Sequence, residues 1–318
     1  MRVFANLLEP RDLAMDVLAV GTVALDSIET PYGSVERALG GSAMYITLAA
    51  RHLASKVCLV AAVGGDFPEQ YENSLESAGI DLAGLEIHEE GHTFAWAGKY
   101  HDDLNQRDTL YTDLNVLETF TPIIPEHYQK SRIVCLGNLD PSIQMDVLNQ
   151  MKDPDFVILD TMNYWIHKTP EALKDVFGRI DCLMINDSEA RDLTNEPNLF
   201  RAARLIKDMG PKVLVIKKGE HGALLFVGES VFSVPAFPLE HILDPTGAGD
   251  AFMGGFAGFV SGHDDITLDV LKQGVVHGSA VASYTVEKFG PNRLLSLEAP
   301  DLTARVGAFH ELTSIPSV

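Results

Sequence analysis

The chain has 318 residues, 46% of them hydrophobic, enough for one large α/β domain with a small appendage. Its formal net charge of -21 argues against a nucleic-acid backbone or an anionic membrane surface as partner. Its three cysteines, Cys58, Cys135 and Cys182, sit in or beside apolar stretches with no Cys-x-x-Cys pair. They read as buried free thiols in a reducing, cytoplasmic compartment.

In chain order, Met1 to Ala14 carries Arg2, Glu9, Arg11 and Asp12 and lacks the apolar core and cleavage site of a signal peptide. No stretch is long and uncharged enough to span a bilayer. Asp16 to Gly21 reads as a buried strand, and Gly41 to Ala54 as a helix with Met44, Leu48, Ala49 and Leu53 on its apolar face. Val57 to Val63 is a second apolar strand. Gln70 to Ala78 is a helix that stops at Gly79. Further strands follow at Ile133–Leu136, Phe156–Leu159, Asp181–Ile185 and Val213–Ile216. Helical patterns lie between them at Ser142–Met151, Pro170–Phe177 and Phe200–Met209. Apolar strands alternating with amphipathic helices predict a three-layer α/β/α fold around a mostly parallel sheet. Residues 1–318 are therefore expected to form one domain.

Two segments break the alternation. Thr22 to Val35 follows the first strand without a helix, and His92 to Thr112 alternates as a strand pair would. Segments at about 22–36 and 92–113 are thus expected to form a small separate sheet, or else an edge hairpin. Near Val213–Leu225 the pattern is strand, glycine-bracketed turn, strand: Lys217-Lys218-Gly219-Glu220-His221-Gly222. That turn is either plain surface or a place where Lys218, or its neighbour Lys217, neutralises a phosphate.

The most informative run is Asp244-Pro245-Thr246-Gly247-Ala248-Gly249-Asp250, followed at once by a helical pattern from Ala251. Glycines let the backbone turn sharply and let a ligand approach closely. A helix starting there aims free N–H groups and a positive dipole end at whatever lies in front, which suits phosphate oxygens. A carboxylate in such a place needs a second task. Taking a proton from a hydroxyl while phosphate charge builds beside it is one that fits.

The run resembles the signature of the ribokinase-like (PfkB) carbohydrate kinases, and the resemblance extends from about Asp16 to near Gly290. It implies an ATP-dependent kinase acting on a hydroxyl of a sugar or sugar-like molecule, or a nucleoside kinase of the same family. Asp250 is then the catalytic base, and the N–H groups of Gly247, Ala248 and Gly249 form the anion hole. Asp244 and Thr246 match positions that hold a monovalent cation, potassium, in many members; Pro245 replaces a common Thr or Ser and removes one donor. Asn186 and Glu189, just past a strand, match the family's magnesium and phosphate motif. By themselves they also read as a helix cap. Lys218, Gly219 and Gly222 match a turn near the nucleotide. His277 lies near the adenine region, or is a packed core histidine. Asp26 with Gly40 and Gly41 resembles the acceptor region, where a carboxylate takes two hydroxyls at once. Tyr45 stands where the family often has Asn, a departure from typical ribose binding. Asn163 follows a strand end in a stretch like the family's Asp-x-Asn, offset by one residue. In the family the small sheet is a lid over the acceptor, which keeps water from competing. Its exposed edges suggest a homodimer.

Rival readings fit less well. A dinucleotide fingerprint read from Gly247 finds Gly249 but then Phe252, and it falls far from the first strand. No Gly-x-x-x-x-Gly-Lys-Ser/Thr occurs. A non-catalytic sugar or nucleotide sensor on the same scaffold has no need of Asp250. A phosphosugar acceptor would call for convergent cations such as Arg51, Lys99 or Arg107.

Overall fold

The computed structural model describes residues 15–314; the stretch Met1 to Ala14, read as lacking a signal peptide, lies outside the described residues. Nine strands form one large sheet: β1 (Val17–Val20), β4 (Val57–Gly64), β5 (Ile80–His88), β8 (Ile133–Leu136), β9 (Phe156–Asp160), β10 (Cys182–Asn186), β11 (Val213–Lys217), β12 (Ala223–Val227) and β13 (Ser230–Val234). Their order across the sheet is β13-β12-β11-β10-β9-β8-β1-β4-β5. All pairs from β11 to β5 are parallel, and only the β11/β12 and β12/β13 pairs are antiparallel.

The strands are continuous apolar runs because helices cover both faces of the sheet. In β4 every residue is buried. Successive residues of β1 feed opposite layers. Val17 and Ala19 join one core with Met44, Phe256 and Val275. Leu18 and Val20 join the other with Val147, Phe177 and Ile206. The first layer is α1 (Ser42–Ala50), α8 (Ala248–Ser261), α9 (Leu268–Thr285) and α11 (Ala299–Thr313), with the short α10 (Asn292–Leu295) beside them. The second includes α3 (Pro141–Gln150), α5 (Pro170–Phe177), α6 (Asp187–Thr194) and α7 (Leu199–Lys207), and α4 (Asn163–Lys168) packs on α5 and α6. α2 (Glu69–Ser77) lies on β5.

α8 is rich in glycine, which lowers helix propensity by about 1 kcal/mol per residue relative to alanine. Close packing is what this permits. A Cβ on Gly254 would lie 2.2 Å from the Ile46 carbonyl oxygen, and one on Gly258 2.6 Å from that of Ala50. α1 and α8 therefore meet backbone to backbone, which brings the start of α8 next to Tyr45.

The two segments that left the alternation form a second, four-stranded sheet: β2 (Ala24–Thr30), β3 (Gly33–Gly40), β6 (Ala95–Tyr100) and β7 (Arg107–Asp113), in the order β3-β2-β6-β7. β2 and β6 run parallel and the other pairs antiparallel. β3 continues to Gly40, past the expected limit near 36, because Ala38 and Gly40 pair with Asp26 and Ala24. The helix expected over 41–54 ends at Ala50 and decays into a turn. β5 was not legible as a strand, since polar Asp81, Glu86 and His88 interrupt its apolar run at the sheet edge. Among the described residues no helix is long and apolar enough to cross a membrane, and all three cysteines are buried free thiols.

Candidate active site

The parallel strands deliver their last residues to one edge of the sheet, where α/β folds place ligands. Asp160 ends β9, Asn186 ends β10 and Lys217 ends β11. Asn186 and Lys217 are register partners. The Lys217 ammonium lies 2.7 Å from Asp160 Oδ2, with both side chains largely buried. The other Asp160 oxygen accepts the Thr161 N–H at 2.8 Å, so the carboxylate is fixed.

The loop before α8 faces this pair. Gly247 caps α8 with φ 76°, a left-handed geometry that glycine adopts without penalty. A Cβ there would also lie 2.4 Å from the Tyr45 ring. The Ala248 N–H donates to the Pro245 carbonyl at 3.2 Å, so that amide closes the turn. The N–H groups of Gly247 and Gly249 have no partner among the described residues, which leaves both amides available as donors. Gly249 also clears space for Lys217: its missing Cβ would lie 3.0 Å from the lysine Nζ.

Asp250 sits in the first turn of α8, half-buried. Burial, and then the Asp160 charge, raise its carboxyl from 3.8 to about 7, against the pull of Lys217 and Arg107. Glu189 is raised to about 7 for the same two reasons. Burial alone would lower the Lys217 ammonium, but Asp160 and Glu189 outweigh it and hold the charge on.

Asn186 and Glu189 form a reciprocal cap at the start of α6. Asn186 Oδ1 accepts the Glu189 N–H at 2.8 Å, and Glu189 Oε2 accepts the Asn186 N–H at 2.8 Å. The cap aims a buried carboxylate at the Asp160–Lys217 pair, so the cap and a role toward phosphate-bound magnesium are compatible in one geometry. Among the described residues no three His, Cys, Asp or Glu side chains cluster as a metal cage. Magnesium held mainly by phosphate and water needs only one or two carboxylates. Glu189, whose cap uses only Oε2, keeps a second carboxylate oxygen that fits that kind of hard oxygen site.

The small sheet closes the other side. Asp26 and Trp96 are register partners on parallel strands and point to the same face, as do Gly98 and Tyr100. Asp26 is buried, and burial followed by the Asp244 charge raises its carboxyl to about 7. A Cβ on Gly40 would lie 2.0 Å from Asp26 Oδ2, so only glycine fits beneath it. Gly41, at φ 98°, caps α1. Tyr45 is fully buried with its hydroxyl unpaired. Asp244, Asp26 and Asp250 all act on it electrostatically. Tyr100 accepts a hydrogen bond from Thr246 Oγ1 at 3.0 Å, and Asn105 of the β6–β7 loop touches the turn at Gly219. The sheet thus spans from the anion loop to the Gly219–Gly222 turn. Arg107 stacks over Trp96 at 5.4 Å.

Other expected residues fall elsewhere or serve the loop. Asp244 is buried and accepts the N–H groups of Thr246 and Gly290, each at 2.9 Å, clamping the loop. Lys218 is half-exposed, and its N–H donates to the Gly222 carbonyl; the lysine brought to the loop is Lys217. Gly219 and Gly222 hold positive φ at the turn. His277 stacks on Phe259 at 4.1 Å, and its Nδ1 meets the Gln273 carbonyl at 2.8 Å, the geometry of a packed histidine between α8 and α9. Asn163 is exposed at the start of α4, with no bond to Asp26 or Asp250 among the described residues. Arg51 binds the Leu294 and Leu295 carbonyls, and Lys99 pairs with Glu29. Neither joins the site. Sequence reasoning assigned no role to Asp160 or Tyr100; a polar residue at the end of an apolar parallel strand was the available signal for Asp160.

A large parallel sheet flanked by helices, with a second small sheet over a glycine-lined anion loop, is the ribokinase-like architecture. A solved structure with this fold, the nucleoside kinase of Methanocaldococcus jannaschii, superposes with a TM-score of 0.75 at 21% identity, covering 93% of this chain and 99% of the other. The sequence profile of the pfkB family carbohydrate kinases matches residues 15–297, and the chain belongs to that family. A cytidine kinase from Thermococcus kodakarensis is 31% identical over 254 residues, 78% of this chain and 90% of its own length. A nucleoside kinase from Methanothermobacter thermautotrophicus is 29% identical over 289 residues, 86% of this chain and 90% of its own. The chain is accordingly an ATP-binding phosphotransferase with an alcohol group as acceptor.

Proposed function

We propose that the protein transfers the γ-phosphoryl group of ATP to a hydroxyl of an uncharged nucleoside, with Asp250 as general base. The observation that carries this reading is the composition of the acceptor side. Asp26, Asp250 and the unpaired Tyr45 hydroxyl converge there, and Arg107, the arginine that faces them among the described residues, is stacked on Trp96. Arg51 and Lys99 are committed elsewhere. Carboxylates and a hydroxyl suit the hydroxyls of a neutral acceptor and repel a phosphorylated one. The Trp96 ring, beside Asp26 on the same face, offers a flat apolar surface for a base. The relatives named cytidine kinase and nucleoside kinase point the same way. A free sugar that stacks on Trp96 is the second reading.

In this reading Asp26 holds acceptor hydroxyls, Asp250 takes the proton of the attacking one, and the Gly247 and Gly249 amides receive the phosphoryl oxygens. Magnesium, when bound, would neutralise phosphate charge, with Glu189 and Asn186 holding it through water. The small sheet excludes water. Asp244 has no cationic side-chain partner among the described residues, which supports a potassium ion beside the loop. The fully exposed edge strand β7 supports a homodimer through the small sheet. Potassium stimulation of turnover and mass by light scattering check these two extensions.

The central test is steady-state transfer from magnesium ATP across a panel of nucleosides and sugars, with Asp250→Asn as control. Turnover is expected on a nucleoside. The variant should keep ATP binding and lose at least ~10²-fold in kcat. Binding without turnover on any compound would favour a sensor, and a variant of near-normal kcat would remove Asp250 from its role.

A further inference from the structure

We propose that Lys217 is a catalytic residue, the cation that receives the transferred phosphoryl group, and that Asp160 is its positioning residue. The inference rests on the kinase reading above and adds two residues to it. Three observations carry it.

The first is placement. The Lys217 ammonium lies against the anion loop, 3.0 Å from the point where a Cβ on Gly249 would stand. A Cβ at 249 would crowd the ammonium and push it back from the loop. The glycine therefore serves a cation as well as a backbone turn.

The second is an apparent electrostatic conflict. A helix N-terminus carries partial positive charge and favours anions. Here a buried ammonium is brought to the start of the 14-residue helix α8. Two positive features aimed at one spot repel each other unless an anion comes between them. In the ligand-free protein Asp160 supplies compensation at 2.7 Å. Its second oxygen is tied to the Thr161 amide, so it cannot follow the lysine elsewhere. A buried ion pair of this kind adds little stability by itself and can cost it. Its position suggests use rather than structure.

The third is the company it keeps. Asp250 from α8 and Glu189 from α6 act on the lysine, and Arg107 from β7 acts on both of those acids. The lysine thus stands between the base and the metal-side carboxylate, where phosphate charge must pass. Lys218 cannot share this task, because alternation along β11 and its turn directs it away and leaves it half-exposed.

In the transfer, the bond between the γ-phosphorus and the bridging oxygen breaks and its electron pair leaves with ADP. An acceptor oxygen lone pair forms the new P–O bond, and its proton passes to Asp250. Lys217 forms no covalent bond. It neutralises charge on the phosphoryl oxygens as they move, and returns to Asp160 when product leaves.

The test compares binding of magnesium AMP-PNP and magnesium ADP by calorimetry, beside kcat and KM. The unmodified protein should bind AMP-PNP more tightly than ADP. Lys217→Met should erase at least ~10-fold of that preference while ADP affinity stays within about 3-fold. It should also lower kcat by ~10²-fold or more with the acceptor KM little changed. The double variant Lys217→Met/Asp160→Asn removes both buried charges, so it gives the same comparison if the single variant folds poorly. Either variant keeping both the preference and kcat would overturn the assignment. If the unmodified protein bound neither nucleotide, the kinase reading itself would fall, and this inference with it.

Discussion

Asp250 is poised by charges from three directions: Asp160 pushes its proton on, and Lys217 and Arg107 pull it off. Asp26 and Tyr45 feel its charge, and both also feel that of Asp244. In its proposed role as general base, Asp250 must be deprotonated to act. With a carboxyl at about 7, kcat/KM for the acceptor should be full above that pH and fall about tenfold per unit below it. Removing the Asp160 charge should lower the Asp250 pKa, so Asp160→Asn should move the acid limb to lower pH. Lys217→Met should move it to higher pH. Opposite displacements of one limb by two neighbours are hard to obtain from a general loss of structure. A limb near pH 4 in the unmodified protein, or one that neither substitution moves, would contradict this electrostatic account. At this scale the sequence was readable where glycine spacing constrains the backbone, at Gly247, Gly249 and Asp250. It was silent on Lys217 against Lys218, because adjacent residues on a strand differ only in which way they point. Asp160 stands at the end of an apolar strand but gains its meaning only from Lys217, 57 positions away.

The start of α6 combines a structural and a chemical task, and substitutions can separate them. Asn186→Ala removes the side chain that accepts the Glu189 N–H. It should cost about 1 kcal/mol of stability, which for a chain of this size is about 2 °C in Tm. Glu189→Gln keeps an oxygen to accept the Asn186 N–H, so Tm should hold. Turnover should fall by ~10–100-fold, and more magnesium should be needed to saturate it. Titrating magnesium against turnover for both variants, with Tm measured alongside, tests the division. A Gln variant with normal magnesium dependence would leave Glu189 as a cap alone. Helices and strands of the large sheet were legible because each is a long run of one period, buried on a known side. The small sheet was legible only as a break in that rhythm. Its strands carry exposed residues, as in β7, where all seven are exposed. Its parallel β2/β6 pairing joins segments some 70 residues apart, and local pattern carries no trace of that.

Across the whole molecule, the acids of the site set how stability depends on pH. Asp26, Glu189 and Asp250 hold protons to about 7 in the folded chain, against 3.8 for an ordinary aspartate and 4.5 for a glutamate. Between those limits the folded state binds more protons than the unfolded one. Stability must then fall as pH rises through the window, by about 1.4 kcal/mol per unit for each proton involved. Two histidines oppose this. Burial lowers His52 from 6.5 to about 4, and His277 shifts the same way, so both favour the folded state as pH rises toward 6.5. Above 6.5 the histidine contribution is spent, the buried thiols act in the same direction as the carboxylates, and the net slope is negative. The ligand-free protein should therefore melt at a higher temperature at pH 6.5 than at pH 8. The net charge of -21 pushes in the same direction through surface repulsion, but salt screens that term and leaves buried groups largely unaffected. Melting curves at the two pH values, with and without about 0.5 M sodium chloride, separate the sources. A difference that persists in salt, and shrinks in Asp26→Asn, assigns it to the acid cluster. A difference abolished by salt would assign it to the surface, and the site would then hold its carboxylates charged at neutral pH.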